Sequence, residues 1–409
     1  MQKPKISVYS YNKHDKYQGG AMGLDPSKFN VNDRKFRAVM AQVITLLVVV
    51  GFAAYLVHNT LVNLEAKHIQ TGFSYLSDAS GISIGESLIP YESSYSWGYV
   101  VLVGSLNTLQ VAITSIILCT IFGVILGLGR LSTNFFVARS STAIVEGLRN
   151  LPLALQLIVW YAVLGNALPD WSAAWQPIHG LLLSKGGISF PSPVASTALV
   201  GLWIGLATAI LVSIVWWRIA KGIHRQTSRE LPVFWPSLAA LILLPLIGKA
   251  FGGWQMDWSF PTVTEGSLEG GFGLSSELLA LTIGLSIYTA TYVAEVVRAG
   301  IQSVSFGQTE AARALGLSKG KIVRLVVLPQ AMRVIIPPTL NQYLNVTKNS
   351  SLAYLVGYPD LVSLVYTGIN QTGQAIEGIA VMMAIFLTIS LVVSLLLNWL
   401  NARSQLVSR

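Results

Sequence analysis

The chain has 409 residues, a net charge of +9 and a mean hydropathy of +0.59. Hydrophobic residues reach 53% and charged residues only 11%, against roughly 25% charged residues in soluble domains. This composition excludes a disordered chain, and the single cysteine, Cys119, excludes a disulfide framework within the chain. The positive charges fall in short clusters between apolar runs, which indicates an integral membrane protein and not a nucleic-acid-binding protein.

Eight apolar segments are long enough to cross a membrane, which takes about 20 mostly apolar residues in a helix. The first follows a polar tail, 1–38, that is too long for the charged start of a signal peptide, so we expect an uncleaved anchor. The sequence therefore predicts an all-α membrane protein with about eight spans. They lie at about 39–57, 99–129, 147–168, 194–217, 231–248, 276–297, 334–356 and 378–399.

The distribution of basic residues predicts the orientation of these spans. If the N-terminus faces the cytoplasm, 23 of the 27 Lys and Arg residues fall on the cytoplasmic side and three on the outer side. Cytoplasmic loops of membrane proteins carry an excess of Lys and Arg, so the N- and C-termini are both predicted to be cytoplasmic. The outer loops are acidic, which fits either a docking surface for a soluble partner or an ordinary solvated face.

The order of the spans divides the chain into three parts. Residues 1–38 form a basic cytoplasmic tail, 39–98 an additional N-terminal span with its outer loop, and 99–400 the main transmembrane domain. The fourth and fifth spans form a helical hairpin inserted at about 170–272. We interpret this hairpin as a peripheral structural pair, because it holds no acid or base within the membrane apart from Lys249 at its outer edge.

The cytoplasmic stretch after the sixth span has the pattern of two short helices joined by a tight turn. Ser305 and Gln308 have the spacing of a capping box, which would start a helix at the next residue. Gly316 stands where a left-handed C-terminal cap belongs. Ser318 can cap a second helix, which we expect Pro329 to interrupt. The pattern by itself also fits an ordinary amphipathic loop.

The same stretch resembles a known motif. Glu310-Ala-Ala, then Gly316, then nine residues and Val-Val-Leu-Pro ending at Pro329, is similar to the EAA loop of ATP-binding-cassette (ABC) importer permeases. Further segments resemble the permeases of polar amino acid importers, over roughly 99–168 and 273–400, or about half the chain. They are Ser105–Leu109, Arg149–Gln156, Tyr292–Val304, Pro329–Arg333, Pro337-Pro338, Asn341 and Lys348–Leu352.

The resemblance implies a type I ABC importer transmembrane fold, with the MetI-like core of binding-protein-dependent inner-membrane components. In that family the EAA loop, here about 303–329, docks into a groove on a separate ATPase subunit. The ATPase-coupling residues implied are Glu310, Ala311, Ala312, Arg313 and Gly316. The chain would then be a non-enzymatic, pore-forming subunit in the bacterial inner membrane. It would move L-amino acids of broad specificity from periplasm to cytoplasm.

The partners implied by the resemblance are a homologous second permease subunit in a heterodimer, a cytoplasmic ABC ATPase dimer and a periplasmic amino-acid-binding protein, besides the L-amino acid and membrane lipid. No cofactor and no nucleic acid are expected on this chain, since ATP and Mg²⁺ would bind to the ATPase. Residues 316–321 are a poor phosphate loop, because three residues and not four separate the glycines and Ile322 replaces the Ser/Thr. The five histidines are scattered, so no metal site is expected.

A polar patch lies inside the seventh predicted span. It consists of Asn345, Lys348, Asn349, Ser350 and Ser351. Charges within a membrane are costly and tend to face a cavity or a partner, so the patch can line a substrate pathway. It can equally be a polar contact that holds helices together. In the related permeases an acid is frequent at the position of Asn349.

An ion-coupled secondary transporter is the alternative function. Such a transporter needs carboxylates within the membrane to bind its coupling ion. Glu146, Glu295 and Glu377 all lie near the ends of predicted spans, which weighs against this alternative.

Overall fold

The structure is a computed structural model that describes residues 34–66, 71–227, 231–253, 256–264 and 267–404. It separates into two compact units, 1–70 and 71–409. Most of the predicted basic tail lies outside the described residues. The first unit is described over one helix, α1 (Arg34–Ala66), which is longer than the predicted first span and takes up the start of the predicted outer loop.

The second unit is built mainly of helices, several of them long and apolar. They are α2 (Trp97–Arg130), α3 (Phe135–Arg149), α4 (Leu153–Ala167), α5 (Thr197–Thr227), α6 (Phe234–Gly252), α7 (Ser276–Gln302), α8 (Phe306–Ala314), α9 (Lys319–Ile322), α10 (Leu328–Asn349), α11 (Leu361–Thr372) and α12 (Ala375–Ser404). Short 3-10 turns lie at Ser74–Ser77, Trp171–Ala173 and Ser350–Val356.

In the described part of the second unit, eight short strands form small antiparallel sheets on the outer side. They are β1 (Trp175–Ile178), β2 (Leu181–Ser184), β3 (Gly187–Phe190), β4 (Ser192–Pro193), β5 (Trp258–Ser259), β6 (Thr262–Thr264), β7 (Ser267–Glu269) and β8 (Phe272–Ser275). The largest sheet has the order β1-β2-β3-β8, and β4 pairs with β5 and β6 with β7. Helices α5 and α6, which correspond to the fourth and fifth predicted spans, follow one another between strands β4 and β5, and the sequence analysis did not predict these strands.

In the described part of the chain, seven helices are long and apolar enough to cross a membrane, and an eighth span results if α3 and α4 count as one. That agrees with the prediction of about eight spans. The predicted third span, 147–168, differs in detail, since α3 and α4 meet at 106°. Pro152 is the N-cap of α4, and proline disfavours continuation of the preceding helix.

The core of the second unit lies where α2, α4, α7 and the 3-10 turn after α10 meet. Its largest buried side chains include Val111, Leu157, Leu281, Leu285 and Tyr358, all essentially inaccessible. Helix α7 is the most buried of the candidate spans. It therefore forms the centre of the bundle, and the sites below lie at its two ends or on its neighbours.

Helices α5 and α6 pack closely against each other. Gly201 on α5 lies against Gly248 on α6, and a Cβ on either would sit 2.1 Å from the carbonyl oxygen of the other. Small residues let membrane helices approach this closely. The contact supports the interpretation of the hairpin as a structural pair.

Candidate functional site

The predicted cytoplasmic turn forms as two helices around Gly316. Helix α8 begins directly after Ser305, although the Ser305 side chain makes no capping hydrogen bond. Gly316 adopts φ +77°, and its N–H donates to Arg313 O at 2.9 Å while Leu317 N–H donates to Ala312 O at 3.2 Å. These two bonds form a Schellman motif, which requires a left-handed residue at the glycine position. The predicted C-terminal cap is confirmed.

The side chains of this turn divide into a buried and an exposed set. Ala312 is 4% exposed and packs into its own chain, whereas Glu310, Ala311 and Arg313 are exposed. Two large apolar side chains on the turn are also exposed, Phe306 at 67% and Leu315 at 81%. On the cytoplasmic side such residues lie outside the lipid, so their exposure indicates a surface that another protein covers.

We expected Pro329 to interrupt the second helix, and this prediction was wrong. Helix α9 passes into a π-helical turn, Val323–Val327, and then directly into α10, where Pro329 occupies the first turn. The wider π turn shifts the hydrogen-bond register before the proline, which has no N–H to donate. The cytoplasmic turn is thereby joined to a membrane span, Lys319–Val356, without a loop between them.

The polar patch lies at the C-terminal end of α10, and its side chains differ in exposure and do not all face the same space. Ser350 is buried and donates to Thr347 O at 2.7 Å. Asn345 is exposed and donates to Gln342 Oε1 at 3.4 Å, and Asn349, at the end of α10, is half-buried. Lys348 and Ser351 line a cavity of about 540 Å³.

This cavity, which we call the Lys348 cavity, lies between α10, α11 and α12. Its other walls include Tyr366 from α11 and Met382, Met383 and Phe386 from α12. The lining thus combines one ammonium group with flexible apolar side chains and three hydroxyl groups, those of Ser351, Tyr366 and Ser390. Such a lining suits a ligand with an anionic group and a variable side chain, since Met adapts to different shapes.

The outer end of α2 holds the start of α11 through one polar cluster. Asn107 Nδ2 donates to Pro359 O and to Glu86 O, both at 2.9 Å, and Leu361 N–H donates to Thr108 Oγ1 at 3.1 Å. A Cβ on Gly104 would lie 2.8 Å from Leu361 Cα, so only glycine allows this approach. Segment 71–96, the outer strap, is thereby tied to α2 and α11 together.

Two carboxyl groups near this cluster have unusual proton affinities. Asp360 lies between two candidate spans, is 0% exposed and accepts a hydrogen bond from Ser363 N–H at 2.8 Å, which caps α11. Its burial raises the pKa of Asp360 to about 7. Burial also raises the pKa of Glu86 in the outer strap, against the opposing effect of hydrogen bonds with Ser275. Removing a carboxylate from water disfavours its charged form.

An ion-pair network joins the cytoplasmic ends of α2, α3 and α7. Arg130 Nη1 lies 2.5 Å from Glu295 Oε2, and Arg298 pairs with the other oxygen of the same carboxylate. Glu146 lies further away, 3.9 Å from Arg130, and is 66% exposed. Arg149 stacks over the Tyr292 ring, 5.0 Å from its centroid. These contacts give Glu295 two cationic partners within the protein.

Residues 225–405 match the family described as binding-protein-dependent transport system inner membrane component. The chain is 40% identical over 380 residues to the general L-amino acid transport system permease protein AapQ of Rhizobium johnstonii, covering 92% of this chain and 94% of that protein. This chain belongs to the amino-acid ABC transporter permeases. The putative amino-acid ABC transporter permease YhdX of Escherichia coli is 42% identical, over 91% of this chain and 95% of its own length. BztB of Rhodobacter capsulatus, a glutamate/glutamine/aspartate/asparagine permease, is 36% identical over 95% of this chain and 100% of its own length.

Membership of this family establishes the general role of the chain. It is a multi-pass inner-membrane permease subunit of an amino acid importer, with the fold that the resemblance implied, and it is a pore-forming component and not an enzyme. The ion-coupled alternative finds no support among these relatives. In the described part of the permease, no group of three or more His, Cys, Asp or Glu side chains is placed to hold a metal ion.

Sequence reasoning missed several residues that the permease brings to these sites. Tyr366, Met382 and Phe386 reach the Lys348 cavity from helices that follow α10 in the chain. The sequence contains no signal for their place in a cavity, because aromatic and Met residues in apolar helices are typical of a hydrophobic core. Asn107 was noted as part of a motif, but its bonds to residues far away in sequence depend on the tertiary structure.

Proposed function

We propose that this permease forms half of the pore of an importer for L-amino acids of broad specificity. It pairs with a homologous permease subunit in a heterodimer, with a cytoplasmic ABC ATPase dimer and with a periplasmic amino-acid-binding protein. The names of its relatives support a broad range, since one is called a general L-amino acid permease and another a permease for both acidic and amide side chains.

The observation that carries the proposal is the capped cytoplasmic turn. Its Schellman motif fixes the angle between α8 and α9, and the turn presents Phe306 and Leu315 to the cytoplasm beside Glu310, Ala311 and Arg313. A small residue at Ala311 allows a close approach by the ATPase. Ala312 serves a different purpose, because it anchors the turn to its own chain. Movement of the ATPase would pass through α9 into α10 directly.

The Lys348 cavity supports a substrate pathway on the same subunit. Lys348 would attract the α-carboxylate, and the Met and Phe side chains of α12 would accept varied side chains. Asn345, Asn349, Ser350 and Ser351 complete the proposed polar path. The hydroxyl group of Ser350 donates to Thr347 O, so Ser350 would contribute to this path by stabilising the backbone and not by contacting the substrate. No cofactor is needed on this chain, as ATP and Mg²⁺ bind to the ATPase.

Co-purification of the intact importer tests the proposed coupling. We expect Leu315→Asp to release the ATPase or to abolish ligand-stimulated ATP hydrolysis, because it places a charge in an apolar contact. Ile178→Asp is the matched control, since Ile178 is 68% exposed but lies on the outer sheet. Retention of the ATPase and normal stimulation in Leu315→Asp would contradict the assignment of this turn.

A further inference from the structure

A second cavity lies at the outer end of the bundle and is distinct from the Lys348 cavity. It is formed by the last turns of α4, the turn between β2 and β3, and the first turn of α7, and its volume is about 490 Å³. We call it the outer-sheet cavity. The polar side chains that line it include Tyr161, Asn166, Lys185 and Glu277.

The wall made by the inserted sheet is held rigidly in place. Ser276 N–H donates to Gly186 O at 3.2 Å, Ser276 Oγ donates to Lys185 O at 2.6 Å, and Lys185 N–H donates to Pro169 O at 2.8 Å. The Trp171 indole lies directly on Gly186, where a Cβ would sit 1.6 Å from a ring carbon. The β2–β3 turn is therefore fixed to the ends of both α4 and α7, and the cavity does not depend on a mobile loop.

The cavity carries opposite charges on different walls. Lys185 Nζ pairs with Asp170 Oδ1 at 2.8 Å, but the pair is exposed and an ammonium group has three hydrogens to donate. Exposed pairs of this kind contribute little stability, so Lys185 is free to take a second carboxylate. Glu277 accepts a hydrogen bond from Tyr161 at 3.1 Å, and a carboxylate accepts about four.

Between these walls there is room for a side chain. Ala162 and Gly165 line the α4 side of the cavity, and a Cβ added at Gly165 would meet nothing within 4 Å. A simple anion would be repelled by Glu277, and a simple cation by Lys185. A small molecule with both charges satisfies both walls at once.

We propose that the outer-sheet cavity binds the free zwitterion of an α-amino acid, with its ammonium group at Glu277 and its carboxylate at Lys185. The inference rests on the proposed function as an amino acid importer, and it adds a binding site on the periplasmic surface apart from the pathway near Lys348. The inserted sheet provides the carboxylate-binding wall, which gives this insertion a role in ligand binding.

Site-specific thiol labelling tests this proposal in the intact importer. Gly165→Cys places a thiol in the cavity, and the native Cys119 is 0% exposed, so an impermeant thiol reagent reports on the new thiol. We expect saturating L-glutamine to slow labelling at least tenfold. Glutamine α-amide and N-acetylglutamine, which each lack one of the two charges, should give little protection.

Two kinds of control make the result specific. Ser93→Cys, on the exposed outer strap, should be labelled at the same rate with and without L-glutamine. Added to Gly165→Cys, either Glu277→Gln or Lys185→Met should remove the protection, whereas Lys348→Met should not. If Gly165→Cys prevents assembly, Ala162→Cys reports on the same space.

Equal protection by the two analogues, or no protection by L-glutamine, would overturn the proposed site. ATP-driven uptake of L-glutamine by the unmodified importer is measured in parallel. Uptake of L-glutamine without protection of the thiol would contradict this site and leave the proposed function intact. Absence of uptake by the unmodified importer would contradict the proposed function itself.

Discussion

The side-chain nitrogen of Asn107 lies 2.9 Å from the carbonyl oxygen of Pro359, a residue 252 positions later in the chain. The same nitrogen donates to Glu86 O, so one buried amide on α2 fixes both the outer strap and the segment that leads into α11. Leaving half-buried carbonyl groups without a donor is costly. Asn107 is therefore expected to position the outer end of the pore.

Replacing Asn107 tests this role. Asn107→Leu leaves two half-buried carbonyl oxygens without this donor, at a cost of up to about 1–3 kcal/mol each. We expect a lower unfolding temperature in detergent and reduced uptake at matched expression. Ser105→Ala is the control, because the Ser105 hydroxyl donates back to Val101 O within the same helix. Equal effects of the two substitutions would contradict the positioning role.

Gly316 and Gly320 form a matched pair in the cytoplasmic turn. A Cβ at either position would meet nothing within 4 Å, but only Gly316 has a positive φ, +77°. Gly316→Ala should therefore strain the turn by about 1 kcal/mol, and Gly316→Asp should in addition uncouple or release the ATPase while the permease stays in the membrane. Gly320→Ala should preserve ligand-stimulated ATP hydrolysis. Normal stimulation in reconstituted Gly316→Asp complexes would count decisively against the coupling role.

The ion-pair network predicts unequal effects of two similar substitutions. Glu295→Gln removes a carboxylate that neutralises Arg130, which is 11% exposed, and breaking such a pair costs about 3 kcal/mol or more. Glu146→Gln removes a distant, exposed partner and should cost less than about 1 kcal/mol. Thermal unfolding of both variants in the same detergent measures the difference, and a larger loss in Glu146→Gln would contradict this interpretation of the network.

Asp360 predicts a specific dependence of stability on pH. Its pKa is about 7 in the folded chain, against ~3.9 in an unfolded one. The folded state therefore binds more protons between these values, and stability falls as pH rises from about 4 through 7. Asp360→Asn retains an acceptor for the Ser363 N–H and should remove this component of the slope. Unfolding temperatures measured across this pH range should fall more steeply in the parent, and parallel curves would contradict the assignment.

Asn349 tests whether the polar patch selects substrates by charge. Asn349→Asp should favour uptake of Arg and Lys over Glu and Asp, because a carboxylate attracts cationic side chains. A preference of 1.4 kcal/mol is a factor of about ten in the uptake ratio. Asn398→Asp, on exposed α12 surface outside the patch, is the control. Unchanged Arg-to-Glu ratios in Asn349→Asp would favour a purely structural patch.

Some features of this permease follow from local sequence. Apolar length predicted about eight spans, and the positions of Lys and Arg predicted their orientation. The spacing from Ser305 to Gly316 predicted a helix with a left-handed C-terminal cap, although the expected capping bond of the Ser305 side chain does not form. Each of these depends on neighbours a few residues apart, through helix hydrogen bonds and side-chain spacing. The bend at Pro152 and the π turn before Pro329 could not be predicted in the same way, since a proline restricts the backbone without specifying which conformation the chain adopts.

Other features were decided by the tertiary structure. The burial of Ser350 and the exposure of Lys348 on the same turn depend on which helices surround α10, and the walls of both cavities come from segments far apart in the chain. The short strands carry too few residues for an alternating pattern, and they exist because β3 and β8 meet across the inserted hairpin. The sequence by itself determined which segments are long and apolar enough to cross a membrane, because transfer into lipid depends on local composition. The tertiary structure decided which polar groups face one another, because those contacts arise only when distant helices pack.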